Sequence, residues 1–144
     1  RIIHPGKVGV ISRSGTMMYE LLLELDQAGK GVSTCVGLGG DAILGTSMKD
    51  ALALFQKDPD TEKVVLIGEI GGYAEEQAAQ YMANQPTKPV IAIIAGQYAP
   101  PGRQMGHTGA IIEWGSGKAR DKTNALWAAG AHIATSLEEI PGLI

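Results

Sequence analysis

Lys63-Val64-Val65-Leu66-Ile67 is a Val-rich run, uncharged after Lys63, that ends at Gly68-Glu69-Ile70-Gly71-Gly72 and leads into Tyr73 to Asn84. A short apolar run between a turn signal, Asp58-Pro59-Asp60, and a glycine cluster reads as a buried strand. The segment after it reads as a helix, with Glu75 and Glu76 in its first turn, where the positive end of the helix dipole favours acidic side chains. One strand, a glycine-rich loop and one helix form the unit on which the rest of the chain is read.

Two such units precede it. Lys7 to Arg13 is a short apolar strand, Ser14-Gly15-Thr16 opens a helix from Met17 to Ala28, and Gly29 and Gly31 close it. Met18, Leu21, Leu22 and Leu25 recur at helical spacing in that segment. A second strand runs from Val32 to Leu38, followed by Gly39-Gly40-Asp41 and Gly45. Ser47 and Asp50 form a capping-box variant at the start of a helix to Lys57. Two units follow. Pro89 to Ala95 is the fourth strand, Gly96 to Gly109 a glycine- and proline-rich loop, and Ala119 to Ala129 a helix closed by Gly130. Ala131 to Thr135 is the fifth strand, and Leu137 starts a last helical turn.

Strands that alternate with helices pair in parallel through right-handed crossovers. Five units predict an α/β domain over residues 1–144: a flavodoxin-like, doubly wound, five-stranded parallel sheet, ordered 2-1-3-4-5, with helices on both faces. The length, 144 residues, fits one domain. The chain begins at Arg1 rather than Met and is expected to be a fragment of a longer polypeptide.

In a parallel sheet the carboxyl ends of all strands share one edge, and ligands bind there. The loops after strands one to four are polar and glycine-rich, so Ser14, Glu69 and His107, distant in sequence, can meet. Glycine allows close backbone approach and positive φ around a bulky anion.

His107 lies between Gly106 and Gly109, flanked by glycines and so not a core histidine on an apolar face, and a histidine there can be a nucleophile, a general base, a metal ligand or an ordinary loop residue. No Cys or other His stands at ligand spacing, which disfavours a metal. A neutral imidazole can attack a phosphoryl group if one nitrogen is free and the other is oriented. Glu69, on the same edge, can accept a hydrogen bond from the second nitrogen. The helix opened by Ser14, Gly15 and Thr16 offers unpaired N–H groups and a positive dipole end to phosphate.

Composition narrows the partners. The formal charge is −3 with both signs scattered, which gives no case for nucleic acid or an anionic membrane surface. No apolar run approaches the ~20 residues of a membrane span, and there is no signal-peptide core. The single cysteine, Cys35, rules out an internal disulfide and is read as a small core residue in a reducing compartment. His4 is read as solvated, His132 as structural, and Met17 and Met18 as packing residues. Trp127 is placed in the core and Asp41 as a cap of its loop. Arg103 is read either as a phosphate or acid contact or as a solvated loop residue.

Four stretches together carry a family resemblance: Val10-Ile11-Ser12-Arg13-Ser14-Gly15-Thr16, Gly37-Leu38-Gly39-Gly40-Asp41, Gly68-Glu69-Ile70-Gly71-Gly72 and Met105-Gly106-His107-Thr108-Gly109-Ala110-Ile111-Ile112. In order and spacing they resemble the ligase-CoA domain of the succinyl-CoA synthetase α subunit, over nearly the whole chain. The resemblance implies that His107 carries a phosphoryl group and that Glu69 orients it. It implies that Ser14, Gly15 and Thr16 hold phosphate, and that Gly39, Gly40, Gly71, Gly72, Gly106 and Thr108 contact substrate. No metal ligand is expected in this chain.

The implied reaction turns acyl-CoA and phosphate into an acyl phosphate and CoA, moves the phosphoryl group to histidine, and passes it to a nucleoside diphosphate. CoA, ATP or GTP and Mg2+ are used by the complete enzyme, none bound tightly here. The implied partners are a β subunit with an ATP-grasp domain and an N-terminal CoA-binding Rossmann domain, which this chain lacks. The substrates are a small carboxylic acid and phosphate, and the implied compartment is the cytoplasm, or the mitochondrial matrix in a eukaryote. Gln104, Thr108 and Trp114 depart from the usual family wording, which leaves the acid open. Two alternatives stand beside this reading: a non-catalytic assembly or regulatory paralogue, and an ATP-citrate-lyase-like domain.

Overall fold

The computed structural model describes residues 3–144. Five strands and five helices alternate along it: β1 (Pro5–Ser12), α1 (Gly15–Gln27), β2 (Val32–Gly37), α2 (Met48–Lys57), β3 (Lys63–Glu69), α3 (Ala74–Asn84), β4 (Val90–Ala95), α4 (Ala119–Ala128), β5 (His132–Ile133) and α5 (Ile140–Leu143). All strand pairs are parallel, and the sheet runs β2-β1-β3-β4-β5. The expected fold and strand order are therefore observed.

Period-two alternation distributes the strand residues to two cores. Val64, Leu66, Val90, Ala92 and Ile94 face one layer, with Leu52 and Phe55 of α2, Ala78 and Met82 of α3, and Leu126 of α4. Val65, Ile67, Ile91 and Ile93 face the other, with Leu21, Leu22 and Leu25 of α1 and Ile140 of α5. Burying both faces explains why the central strands read as unbroken apolar runs.

Local chemistry fixes the helix starts. Ser14 caps α1, its hydroxyl oxygen accepting from the Met17 N–H. Ser47 caps α2, accepting from the Asp50 N–H at 3.1 Å, while its hydroxyl donates to the Asp50 carboxylate at 2.6 Å. At the expected turn, the Asp58 carboxylate accepts from the Asp60 N–H and the Thr61 hydroxyl, and these bonds hold it below the usual carboxylate range.

The structure differs from the sequence expectation in four places. β3 continues through Gly68 and Glu69, which pair with Ile94 and Ala95, so Glu69 ends a strand rather than lying in the loop beyond it. β5 is only two residues long, because pairing beside β4 stops at Ile133. The last helix starts at Ile140 rather than Leu137.

Trp127, expected in the core, is 70% exposed. On α4 the core-facing positions are Ala119, Lys122 and Leu126, so the indole one residue beyond Leu126 turns outward. Lys122 can occupy an inner position because its ammonium is satisfied by Glu75, Glu76 and the Gly72 carbonyl.

Other single residues are placed as follows. His4 is exposed and pairs with Asp26. His132 is exposed at the start of β5. Met17, Met18 and Cys35 pack partly buried against the second core, and burial pushes the Cys35 thiol up.

Candidate functional site

Strand order brings the ends of β1, β2 and β3 side by side. Ser12 pairs with Gly37 on one side and Ile67 on the other. The next residue, Arg13, donates its N–H to the Ile67 carbonyl, and Leu38 donates its N–H to the Ser12 carbonyl. The loops after β1, β2 and β3 therefore leave the sheet together, and the loop after β4 folds back over them.

That last loop carries His107. Its backbone is tied down by bonds from Gly102 to Ile112, Met105 to Ala110, Ala110 to His107 and Gly109 to Gly40. The imidazole Nδ1 lies 2.8 Å from Glu69 Oε2 and 3.1 Å from Oε1. Glu69 is almost enclosed, with 8% of its side chain exposed, whereas His107 keeps 39% open to solvent. The carboxylate is thus part of the framework and the ring is reachable.

Glycines make this approach possible. A Cβ built on Gly40 would stand 2.1 Å from His107 Nδ1, so the His107 side chain packs directly against the Gly40 backbone. Gly71 has φ +90°, and a Cβ there would meet the Gly109 carbonyl at 1.9 Å. Gly71 also donates its N–H to the Gly117 carbonyl at 2.8 Å. Gly40 and Gly71 therefore seat the His107 loop, a demand for close backbone approach. Gly15, Gly39, Gly72 and Gly106 have open space where a Cβ would be.

The start of α1 stands on the same edge. The first N–H groups of a helix have no intrahelical acceptor. Ser14 takes that of Met17, and Gly15 and Thr16 are exposed at the opening. Beside the histidine loop lies a cleft of about 690 Å³, lined among others by Arg13, Asp41, Gly72, Thr108 and Trp114 but not by His107, Glu69 or the opening of α1. Thr108 and Asp41 face each other across it, the threonine hydroxyl donating to the Asp41 carboxylate at 2.7 Å. Asp41 thereby joins the second loop to the fourth. A depression of about 770 Å³ between α2 and α3 is lined by Lys49, Gln77, Tyr81 and other polar residues and holds none of these groups; the paired histidine and carboxylate, not volume, mark the site. Arg103 is exposed.

Sequence reading missed the residues behind Glu69. Arg13 is buried, its Nη2 3.3 Å from Glu69 Oε1 and its Nη1 3.0 Å from Glu75 Oε1. Glu75, expected at the dipole of α3, is fully enclosed and bonded to Lys122 at 2.6 Å. An arginine ending an apolar strand and a lysine at a helical core position were the available signals. Among the described residues, no group of three or more His, Cys, Asp and Glu is arranged to hold a metal ion.

A family model described as CoA-ligase matches residues 11–132, which include every residue named in this site. The chain belongs to the CoA-ligase family. Its relatives include the succinate–CoA ligase [ADP-forming] α subunit of Methanothermobacter thermautotrophicus, 56% identical over 132 residues, 92% of this chain and 45% of that protein. The α subunit of the same name from Aquifex aeolicus is 51% identical over 132 residues, 92% of this chain and 43% of that protein. The α subunit 2 of Archaeoglobus fulgidus is 49% identical over all 144 residues and 50% of its own length. The chain thus spans about half the length of these CoA-ligase relatives. Among solved structures, the ATP citrate lyase of Methanosaeta concilii in complex with (3S)-citryl-CoA superposes with a TM-score of 0.89 at 30% identity, over 97% of this chain and 23% of that one. The resemblance to succinyl-CoA synthetase α subunits read from the four glycine-bearing stretches is the relationship these CoA ligases display.

Proposed function

We propose that this chain is the phosphoryl-accepting domain of an acid–CoA ligase of the succinate–CoA ligase type. The observation that carries the reading is the contact of His107 Nδ1 with the enclosed carboxylate of Glu69. With the Nδ1 hydrogen donated to Glu69, the lone pair rests on Nε2, and the ring remains accessible.

In the proposed sequence, acyl-CoA and inorganic phosphate first yield an acyl phosphate and free CoA. Nε2 of His107 then attacks phosphorus, the N–P bond forming as the P–O bond to the acyl group breaks and the carboxylate leaves. Glu69 balances the positive charge that develops on the ring. Phosphoryl transfer to a nucleoside diphosphate restores the neutral imidazole, and every step runs in reverse for ligation. Ser14, Gly15 and Thr16 hold phosphate at the opening of α1. Gly39, Gly72, Gly106 and Thr108 border the acyl phosphate, while Gly40 and Gly71 support the histidine loop. CoA, ATP or GTP and Mg2+ belong to the complete enzyme. Its other parts are an N-terminal CoA-binding Rossmann domain and a β subunit with an ATP-grasp domain. A cytoplasmic or mitochondrial-matrix setting fits these substrates. Among the described residues no helix is long and apolar enough to cross a membrane.

The test is labelling of the complete enzyme with radioactive ATP. Acid-labile, base-stable label on His107, lost in His107→Asn, is the expected result; label on a serine, or none in an assembled enzyme, rejects the proposal. The likeness to ATP citrate lyase favours one second reading, a citrate-cleaving enzyme with the same phosphohistidine. Cleavage of citrate that requires both CoA and ATP would select it.

A further inference from the structure

We propose that Arg13 and Glu75 are positioning residues that decide which nitrogen of His107 stays free, acting through Glu69. The inference rests on His107 being the phosphoryl acceptor.

Glu69 is held at three points. Its N–H donates to Glu75 Oε1 at 3.0 Å. Its carbonyl accepts from Arg13 Nη1 at 3.2 Å. Its Oε1 lies 3.3 Å from Arg13 Nη2, while its Oε2 takes the closer contact with the imidazole. Arg13 Nη1 also donates to Glu75 Oε1 and to the Gly71 carbonyl, so one guanidinium ties the end of β3 to the turn that follows it. Glu75 is anchored in turn by Lys122 at 2.6 Å. Gly68 makes room for this, since a Cβ there would stand 2.7 Å from the Glu75 side chain. The result is an alternating series, Lys122, Glu75, Arg13, Glu69 and His107, drawn from α4, α3, the residue after β1, the end of β3 and the fourth loop.

Stability alone does not account for such a series. Buried ion pairs are commonly no better than well-packed apolar residues, because desolvation offsets their attraction. A guanidinium that holds Glu69 by its backbone carbonyl and by one carboxylate oxygen, however, limits how that carboxylate can turn as no apolar side chain can. If the Glu69 carboxylate turns, Nδ1 loses its acceptor, the imidazole tautomers mix, and Nδ1 competes with Nε2 for the phosphoryl group.

The experiment uses the complete enzyme with Glu75→Gln, which is nearly isosteric, and Arg13→Lys, which keeps the charge and loses the fork. Each assembled variant is labelled with ATP, and the two phosphohistidine isomers are separated and counted. In wild type the label is expected on Nε2 alone. In each variant labelling slows by about 10- to 100-fold, the scale of a misplaced reacting group, and part of the label moves to Nδ1. A change of isomer is something a purely structural role would not produce. Assembled variants labelled at the wild-type rate on Nε2 alone would overturn the proposal. Failure of both variants to assemble would also overturn it, by making the series a folding element. An unlabelled wild type would instead reject His107 as the acceptor.

Discussion

His107 Nδ1 and Glu69 Oε2 stand 2.8 Å apart, joining an irregular loop to the last residue of a central strand. The strand residue is paired with Ala95 on β4 and cannot shift without disturbing the sheet. Glu69→Gln keeps an acceptor but removes the charge that, in the proposed reaction, balances the developing imidazolium. Labelling of His107 in the complete enzyme should fall by about 100-fold, the scale of a lost electrostatic stabiliser. Rapid-quench measurement of acid-labile label checks this, and an unchanged rate would show that the carboxylate has no such part.

Gly40→Ala puts a methyl group where the imidazole ring lies. The ring must move by about 1 Å, enough to cost on the order of 100-fold in rate, while the fold stays intact. Gly45→Ala, with open space around the new methyl, is the control. Equal rates in the two variants would remove Gly40 from the site.

Lys122 and Trp127 sit one helical face apart on α4 and should behave oppositely. Removing Lys122 strands the enclosed Glu75 carboxylate, so Lys122→Ala should lower stability by about 3–5 kcal/mol. Trp127→Ala should change it by less than about 0.5 kcal/mol, as for other exposed positions. Urea denaturation of both variants decides it.

Trp114 has φ +48° and a fully exposed indole, in a tight turn closed by bonds from Ser116 to the Glu113 carbonyl. A bulky side chain in the left-handed region is strained. Trp114→Asn, which tolerates that region, should raise stability by about 0.5–1 kcal/mol. A lower melting temperature would contradict the assigned turn.

Hydrogen bonds from Thr61 and Asp60 hold the Asp58 carboxyl below its usual value. A carboxyl lowered on folding favours the native state above its unfolded pKa, and that contribution is lost as pH falls through the lowered value. Asp58→Asn should therefore melt below wild type near neutral pH, and the gap should close as the pH drops below about 4. Paired thermal melts across that range check it.

Much of the fold was legible because buried strands must be apolar and connecting loops must be polar or glycine-rich. The His107 and Glu69 pair was legible for the same reason: Glu69 closes one strand, His107 lies in the loop after the next, and the two strand ends share an edge. The ionic series behind Glu69 was not. Glu75 satisfies the dipole rule for an exposed first turn as well as it satisfies Arg13 and Lys122, and sequence alone does not distinguish the two. Trp127 failed for the complementary reason. Its size argued for the interior, but the phase of α4 is set by Leu126 and by a lysine whose charge is matched inside. The extension of β3 through Glu69 depended on Gly68, which reads as a loop residue until its neighbours are known.

The two indoles of the chain, Trp114 and Trp127, both project into water. Their emission from the folded chain should already resemble that of free tryptophan. Unfolding will move the spectrum little, and an optical melt followed at those wavelengths will look flat. Circular dichroism in the far ultraviolet, which senses the backbone, is the reporter to use when the variants above are compared.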